Sequence, residues 1–359
     1  MTPQKVYLDH NASSPARPEV IAAMVDALNT PGNASAPHGH GRAGHKFIAD
    51  AREAVGLAMG VCAQDIIFTA SGTESINTAI HSAIKGGCKR LLISSMDHPA
   101  AILMAESSGV EFDLIPANRN GQLDMAWLAD TLDNWSESDG RPFVALVAAN
   151  SETGVLQDIE RATELTHAKD GLILVDAVQA LGKIPMTFMP DYLAVSAHKI
   201  GGPQGVGALF VETDAPFTSL LIGGGQEKRR RAGTLNVAGI AGFGAAAKMA
   251  DNLSRTKDIR DHIEAELQAM EPELVIFGKD APRLPNTSFF AVPDAASSTL
   301  MMALDLEGVS VSTGLACSSG KVGASRAVTA MGLADKAPKG AIRLSLGYNS
   351  TQEDADMFL

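Results

Sequence analysis

Cysteine is scarce in this chain: there are three among 359 residues, and none has the spacing of a metal-binding pair. So small and odd a number excludes a disulfide framework and predicts free thiols in a reducing compartment. No apolar run reaches the roughly 18 residues that a membrane-spanning helix needs. The N-terminus also lacks the apolar stretch of a secretory signal. We therefore expect a soluble, cytoplasmic protein with no membrane segment.

Aromatic residues are also scarce, and the chain has no net positive charge. Aromatics make up 5% of the chain, and the formal net charge is −12. That balance excludes a broad basic surface for nucleic acid. The one basic cluster, residues 228–231 (KRRR), is most simply a solvated turn or a contact between subunits. Hydrophobic residues reach 45%, which is enough for a large core, and the length favours two domains.

Short, continuous apolar runs recur along the first two thirds of the chain. They are typical of strands buried on both faces. Helical patterns such as residues 158–169 separate them, so βαβ units and an α/β fold are predicted, with a mostly parallel central sheet flanked by helices. The runs are residues 65–70, 90–95, 112–116, 143–150, 171–177, 192–198 and 206–211.

After about Gly239 the alternation becomes less regular, which predicts a smaller α+β domain. We expect a large domain over residues 15–250 and a small domain made from residues 1–14 and 251–359. Residues 354–359 look like a helix that has only just begun, so a short C-terminus is expected.

Polar residues follow five of the predicted strands. Because ligands bind beyond the carboxyl ends of parallel strands, these residues are expected to form one site. Each also has an ordinary explanation, such as a helix cap, a buried ion pair, a loop histidine or a solvated lysine. The set is Ser71 to Ser75, Asp97 with His98, Asn150, Asp176, and Ser196 to Lys199.

Taken together, these residues suit one cofactor. Pyridoxal 5'-phosphate (PLP) needs a phosphate cradle, an acid for its ring nitrogen, a lysine for its aldehyde and a group stacked on its ring. A helix N-terminus such as the one after Ser71 is a ready anion site. The sequence therefore favours a PLP enzyme.

The chain also resembles the cysteine desulfurase branch of the class V aminotransferases, which have the type I PLP fold. The resemblance runs from Val6 to Gly347. It is carried by residues 7–15 (YLDHNASSP), 32–35 (GNAS), 69–75 (TASGTES), 150–154 (NSETG), 175–179 (VDAVQ), 196–199 (SAHK), 223–227 (GGGQE), 231–234 (RAGT), 316–318 (ACS) and 342–346 (IRLSL).

The resemblance implies a role for each matching residue. Lys199 is expected to hold the cofactor aldehyde covalently, Asp176 to pair with the ring nitrogen, His98 to stack on the ring and carry protons, and Gln179 to bond the phenolate oxygen. The expected phosphate ligands are Gly72, Thr73, Ser196 and His198, joined by Thr234 from a neighbouring subunit, which implies a homodimer. Arg343 and Asn150 are expected to bind the substrate, with Arg343 gripping its carboxylate.

Cys317 lies in a glycine- and serine-rich stretch that is an unusual setting for a core cysteine. The resemblance implies that its thiolate takes sulfur from L-cysteine as a persulfide, leaving alanine. Residues 317–332 match the length of the long-loop group, which hands sulfur to scaffold proteins for iron–sulfur assembly. A sulfur-acceptor or scaffold partner is therefore expected. Cys62 and Cys88 are interpreted as structural.

The chain departs from the family pattern in three places. Ser151 replaces the second of two adjacent asparagines, which weakens a contact to the cofactor or substrate. The phosphate loop reads Ala-Ser-Gly-Thr instead of Ser-Gly-Ala-Thr but keeps Thr73. The short C-terminus leaves the identity of the scaffold partner open.

Alternative interpretations remain at this stage. The three histidines within residues 38–45 lack carboxylate or thiol partners, so no metal site is expected there. Selenocysteine lyase, cysteine sulfinate chemistry or a transaminase would use the same lysine, although a transaminase would not need Cys317. A non-catalytic assembly platform is the other alternative, but it would not need to keep the catalytic residues.

Overall fold

Thirteen strands and eleven α-helices form in the residues that the computed structural model describes, which are 5–250, 253–314 and 325–359. The strands are β1 (Val6–Tyr7), β2 (Ile66–Thr69), β3 (Arg90–Ser94), β4 (Glu111–Ile115), β5 (Phe143–Val147), β6 (Leu172–Asp176), β7 (Tyr192–Ser196), β8 (Gly207–Val211), β9 (Val275–Ile276), β10 (Thr287–Ala291), β11 (Val309–Ser310), β12 (Ser312–Thr313) and β13 (Ile342–Ser345). The helices are α1 (Pro18–Asn29), α2 (Gly39–Met59), α3 (Gly72–Lys85), α4 (Pro99–Ser108), α5 (Met125–Asp133), α6 (Ile159–His167), α7 (Val237–Lys248), α8 (Thr256–Met270), α9 (Ser297–Leu306), α10 (Arg326–Ala330) and α11 (Gln352–Phe358).

The central sheet has seven strands in the order β2-β8-β7-β6-β5-β3-β4. Each arises from one of the apolar runs predicted as strands. Strand β8 is antiparallel to both of its neighbours, and the other strands run in one direction. The predicted α/β fold with a mostly parallel sheet flanked by helices is therefore confirmed.

Helices cover both faces of this sheet, so its strands are apolar on both sides. In β6, Ile173 and Val175 belong to one buried cluster, whereas Leu172 and Leu174 belong to another on the opposite face. Alternation of side chains along a strand produces this division. Because neither face meets water, the runs read as continuously apolar.

A second sheet of four strands, β12-β13-β10-β9, is built mainly from the C-terminal third of the chain. The N-terminal strand β1 pairs in parallel with β11, Val6 opposite Val309. These elements share an apolar cluster that includes Leu8, Phe290 and Leu344. The proposed domain boundaries at residues 15 and 250 stay a prediction.

A membrane span is not found in the described residues, where no helix combines the necessary length and apolar character.

Candidate active site

The carboxyl ends of β2, β3, β5, β6 and β7 meet at one edge of the central sheet because these strands run in the same direction. A cavity of about 390 Å³ lies there. Most of the predicted site residues line it, together with Asn11, Ala12 and Ser151. The predicted residues in its wall are Gly72, Thr73, His98, Asp176, Gln179, Ser196, His198, Lys199 and Arg343.

One end of the cavity is the N-terminus of α3. Ser71 caps this helix and its side chain accepts a hydrogen bond from the amide of Glu74. The amides of Gly72 and Thr73 lie in the first turn, where helical geometry provides no acceptor. A Cβ atom on Gly72 would lie 2.6 Å from Val178 Cγ2, so glycine is required for this close approach. The arrangement suits a phosphate group.

The segment after β7 supplies two more residues beside this helix end. Ser196 is buried, and His198 Nδ1 lies 3.3 Å from Ser13 Oγ. Burial, followed by the positive charges of Lys199 and Lys183, lowers the pKa of His198 to about 4. His198 is therefore neutral near pH 7, and its contact with the phosphate stays a prediction.

Lys199 ends a short 3-10 turn, residues Ala197–Lys199, that follows β7 directly. Its Nζ donates to two backbone carbonyl oxygens, at 2.7 Å from Asn11 and 2.8 Å from Ala12. The N-terminal segment thus holds the amine at the cavity wall. An amine held in this way is placed to react with an aldehyde in the cavity.

Asp176, the last residue of β6, is buried, and its Oδ1 accepts a hydrogen bond from the amide of Val178. Burial raises the pKa of this carboxyl to about 6, while the Val178 amide and the charge of Lys199 oppose the rise. A buried carboxylate is costly unless a cation accompanies it. The protonated nitrogen of a pyridine ring would meet that need.

Asp97 is a second buried carboxyl beyond the end of β3. Neither of its oxygens makes a hydrogen bond of standard length and angle to a described residue, although Ser94 and the amide of Val147 lie nearby. Burial, and then the negative charge of Asp176, raises its pKa well above the usual range. Of the two acids, Asp97 therefore keeps its proton more readily.

His98 caps α4, and its Nδ1 accepts a hydrogen bond from the amide of Ala100 at 3.1 Å. The neutral ring must therefore carry its proton on Nε2. Burial and the charges of Lys199 and Arg326 lower the pKa of the ring. Near pH 7, His98 presents a neutral N–H donor to the cavity.

Arg343 on β13 brings the smaller sheet to the same cavity. One terminal nitrogen donates to Asp9 Oδ1 at 2.7 Å and the other to the carbonyl oxygen of Ser151 at 3.1 Å. The buried Nε makes no hydrogen bond to a described residue. The guanidinium is thus held at the cavity wall, and its contact with a substrate carboxylate stays a prediction.

A smaller cavity of about 180 Å³ adjoins the first, and the two share four residues: Met96, His98, Ser151 and Arg343. Asn150 lines this second space, and its side chain binds Met96 O, two backbone amides and the Thr153 hydroxyl. These contacts tie the loop after β5 to the segment after β3. A direct contact between Asn150 and a substrate stays a prediction.

Glu152 also lines the smaller cavity, beside Gly314 and Arg326. Burial raises its pKa to about 7, even though Ser325 and the two arginines, Arg343 and Arg326, oppose the shift. Its Oε2 makes no hydrogen bond of standard geometry within the described chain. The carboxyl is therefore poised to gain or lose a proton near neutral pH.

Of the predicted site residues that the structure describes, only Thr234 lines neither cavity. Thr234 is exposed, and its contact with the phosphate of a neighbouring subunit stays a prediction. Cys317 falls outside the described residues, between Gly314 and Ser325. Of the other cysteines, Cys88 is buried and Cys62 is exposed.

The structure offers no support for a metal site within its described ranges, where no group of three or more His, Cys, Asp and Glu side chains could hold an ion. His38 instead caps α2, accepting a hydrogen bond from the amide of Gly41.

Two residues that join the site, Lys183 and Asn11, were assigned no role from the sequence. Lys183 is buried and bonds Gln179 Oε1 and Asn11 Oδ1. Its only signal was a lysine in an otherwise apolar stretch, four residues after Gln179. Asn11 lies within the motif at residues 7–15, but that motif assigned it no role. It contacts the segments after β6 and β7 as well as β10 and β13.

The cavity as a whole fits PLP. It has an anion cradle at one end, a buried acid, Asp176, that forms no salt bridge with a described residue, and a lysine amine. The carboxamide of Gln179 and the ring of His98 line the same cavity. Each matches one functional group of the cofactor.

Comparison with known proteins agrees with this geometry. Residues 6–358 match the family model described as aminotransferase class-V. The chain is 38% identical to a protein named cysteine desulfurase from Cereibacter sphaeroides, over 99% of this chain and 94% of that protein. It is 35% identical to a protein named cysteine desulfurase IscS from Dictyoglomus turgidum, over 99% and 93% of the two chains.

A solved structure described as a NifS-like protein from Rickettsia africae superposes with a TM-score of 0.89. It is 31% identical and covers 99% of this chain and 97% of that chain. The family model, the full-length relatives and this structural similarity lead to the same conclusion. The chain is an enzyme that belongs to the aminotransferase class-V family, whose desulfurase members depend on PLP.

Proposed function

We propose that this enzyme is a PLP-dependent L-cysteine desulfurase that converts L-cysteine to L-alanine and transfers the sulfur to Cys317 as a persulfide. The observation that carries the proposal is the cavity, which gathers Lys199, Asp176, His98 and Arg343 from separate elements of the fold. The names of the full-length relatives support the same reaction.

The residues that would hold the cofactor follow from its functional groups. The amides at the start of α3, with Ser196 and His198, would bind the phosphate, and Asp176 would hold a proton on the ring nitrogen. When bound, the cofactor supplies an aldehyde for amines and a ring that accepts an electron pair.

The chain's own groups bind the substrate and move its protons. Arg343 would hold the substrate carboxylate through a guanidinium fixed by Asp9 and Ser151. His98, whose proton is on Nε2, would give that proton to a group in the cavity and recover it later. Both residues also line the smaller cavity, which lies against Gly314.

The sulfur step uses Cys317. Its thiolate forms an S–S bond to the substrate sulfur while the C–S bond breaks. The electron pair of that bond stays on carbon, which takes up a proton to become the methyl group of alanine. The position of Gly314 and Arg326 in the wall of the smaller cavity supports this role, since Cys317 lies between them in the chain.

We also propose a homodimer. The loop before Thr234 supports this state, because Ile222 is 93% exposed and Leu221 is 42% exposed. With Leu220 they form a contiguous exposed apolar stretch, which is typical of a surface that a partner covers. Light scattering on the 37.4 kDa chain tests it, and a monomer mass would contradict it.

The persulfide sulfur is proposed to pass to an acceptor or scaffold protein for iron–sulfur cluster assembly. We place the enzyme in the cytoplasm because a persulfide chemistry with free thiols needs a reducing compartment. The resemblance to desulfurases of the long-loop group supports the proposal that an acceptor protein receives the sulfur.

The test measures alanine and sulfide from the PLP-loaded protein with L-cysteine and a reductant. We expect equal amounts from the wild type and no sulfide from Cys317→Ala. The matched control is Cys62→Ala, because Cys62 is an exposed cysteine that does not line either cavity. Full activity in Cys317→Ala, or none in the wild type, would overturn the proposal.

A further inference from the structure

Lys183 lies on the turn after β6 and is 2% exposed. Its Nζ donates to Gln179 Oε1 at 2.6 Å and to Asn11 Oδ1 at 2.7 Å. No carboxylate forms an ion pair with it within the described part of the chain. A buried lysine without an acid is costly, so its position calls for an explanation beyond packing.

The chemistry of the lysine decides how the Gln179 carboxamide is oriented. A lysine amine held by carbonyl oxygens acts as a donor, so it must face the oxygen end of the amide. The nitrogen end then faces away, and one of its two hydrogens is used by the carbonyl oxygen of Asn11 at 2.8 Å. The second hydrogen is left for the cavity, which Gln179 lines.

Asn11 is the other fixed point of this network. Its carbonyl oxygen accepts from both Gln179 and Lys199, and its Oδ1 accepts from Lys183 and from Asn286. Its Nδ2 donates to Thr287 Oγ1 at 2.9 Å. The amide oxygen of Asn11 is therefore locked, and it can hold the amine of Lys183 in one place.

We propose that Lys183 is a positioning residue that keeps Gln179 with its N–H edge toward the cofactor cavity, so that Gln179 donates to the phenolate oxygen of PLP. Without Lys183, only the carbonyl oxygen of Asn11 opposes rotation of the carboxamide, so the orientation that presents Oε1 and repels the phenolate becomes more populated. The inference rests on the PLP site of the proposed function and is independent of the sulfur step at Cys317.

Burial, followed by the charges of Lys199 and Arg343, lowers the pKa of Lys183 well below its usual range. In the neutral form the amine keeps two N–H groups for its two acceptors, and the carbonyl oxygen of Asn11, which can only accept, keeps the nitrogen end of Gln179 facing it.

The test is a double-mutant cycle on the affinity of the cofactor-free protein for PLP, followed by fluorescence. We expect Lys183→Met to weaken binding about tenfold, since a buried hydrogen-bond partner is lost. In a Gln179→Leu background, the same change should alter affinity less than about twofold, because Lys183 then has nothing to orient. Lys248→Met, at an exposed lysine, is the matched control.

The second readout is the visible absorption band of bound PLP. Lys183→Met and Gln179→Leu should shift it in the same direction, whereas Lys248→Met should not. A tenfold loss that is equal in both backgrounds, or no loss at all, overturns the proposal.

Thermal unfolding of each cofactor-free variant controls for folding. A second double-mutant cycle uses Lys183→Gln, a substitution that keeps an N–H donor at this position. If neither lysine variant unfolds cooperatively as the wild type does, Lys183 is a structural residue and the proposal is wrong. A failure here leaves sulfide production by the wild type intact, so it is distinct from a failure of the desulfurase proposal.

Discussion

Gln179 and Lys199 donate to the same acceptor, the backbone carbonyl oxygen of Asn11, at 2.8 Å and 2.7 Å. The two residues come from the ends of neighbouring strands, β6 and β7, and Asn11 comes from the N-terminal segment. The lysine expected to hold the cofactor and the amide expected to bind its phenolate are therefore aligned by one atom of a distant segment.

The proton on His98 Nε2 leads to a prediction for catalysis. We expect His98→Gln to lower kcat about 10² to 10⁴-fold, the range for loss of a general acid or base. PLP should still bind, because Lys199 and the phosphate cradle are unchanged. The measurement is alanine formation together with the visible absorption of the cofactor.

His81→Gln is the control, since His81 lies on α3 outside the cavity. A His98→Gln protein with wild-type kcat would show that His98 moves no essential proton.

The raised pKa of Asp176 predicts a pH dependence of stability. Its pKa is about 6 in the folded protein and about 3.9 in an unfolded chain, so the folded state binds more protons between these values. The stability of the cofactor-free protein should fall as pH rises from 4 through 6, by roughly 2 to 3 kcal/mol from this group. Asp176→Asn should remove that part of the slope.

Urea unfolding at several pH values, with wild type and Asp176→Asn compared at each, measures the difference. PLP should reduce it, because a protonated ring nitrogen neutralises the carboxylate. A difference that stays constant from pH 4 to pH 7 would mean that Asp176 is not destabilised by burial.

The close approach of Gly72 to Val178 predicts the effect of a single methyl group. Gly72→Ala should destabilise the protein by about 1 to 3 kcal/mol, the usual cost of overpacking, and weaken PLP binding by displacing the start of α3. Chemical unfolding and PLP titration measure the two effects. Gly225→Ala is the control, since no atom lies within 4 Å of its added Cβ and its φ is −85°. Equal behaviour of the two variants would contradict the prediction.

The contacts of Glu227 anchor the segment that leads to Thr234, which predicts a loss of stability when Glu227 is replaced. It is buried, forms an ion pair with Arg52 and accepts a hydrogen bond from the amide of Phe68. These contacts hold Glu227, Lys228 and Arg229 at φ values of 48°, 56° and 67°, in the left-handed region that is costly for such residues.

Glu227→Gln should therefore cost about 2 to 4 kcal/mol, somewhat below a fully buried pair because Arg52 is 20% exposed. Asp50→Asn, which breaks the exposed Lys46–Asp50 pair, should cost less than about 1 kcal/mol. Unfolding curves test both, and a Glu227→Gln protein as stable as Asp50→Asn would show that the turn needs no anchor.

Much of the fold and of the site was predictable because both follow from short-range patterns. The apolar runs that became β2 to β8 are continuous, and polar residues such as Asp176 and Lys199 stand where strands end. Strand direction was less predictable: β8 is antiparallel to its neighbours because the chain returns from β7 through a short connection that contains no α-helix. Nothing in its apolar composition marks that difference.

The residues that escaped prediction are those whose partners are far apart in the chain. Asn11 meets Lys199 across 188 residues and Thr287 across 276. Lys183 is a polar residue in an apolar stretch until the fold places Gln179 and Asn11 beside its amine. The raised pKa of Glu152 likewise depends on its burial against Gly314 and Ser325, and no local sequence pattern predicts that burial.

By itself, the sequence determined the alternation of strands and helices, the edge of the sheet at which polar groups collect, and the residue types available there. The alternation of side chains along a strand and the end at which a strand stops are local properties, so they can be read from the linear sequence. Only the tertiary structure decided which of those groups meet, how Asn11 orients Gln179 and Lys199, and which acids keep their protons. Those outcomes depend on distance and burial between segments, because hydrogen bonding and desolvation act through space and not along the chain.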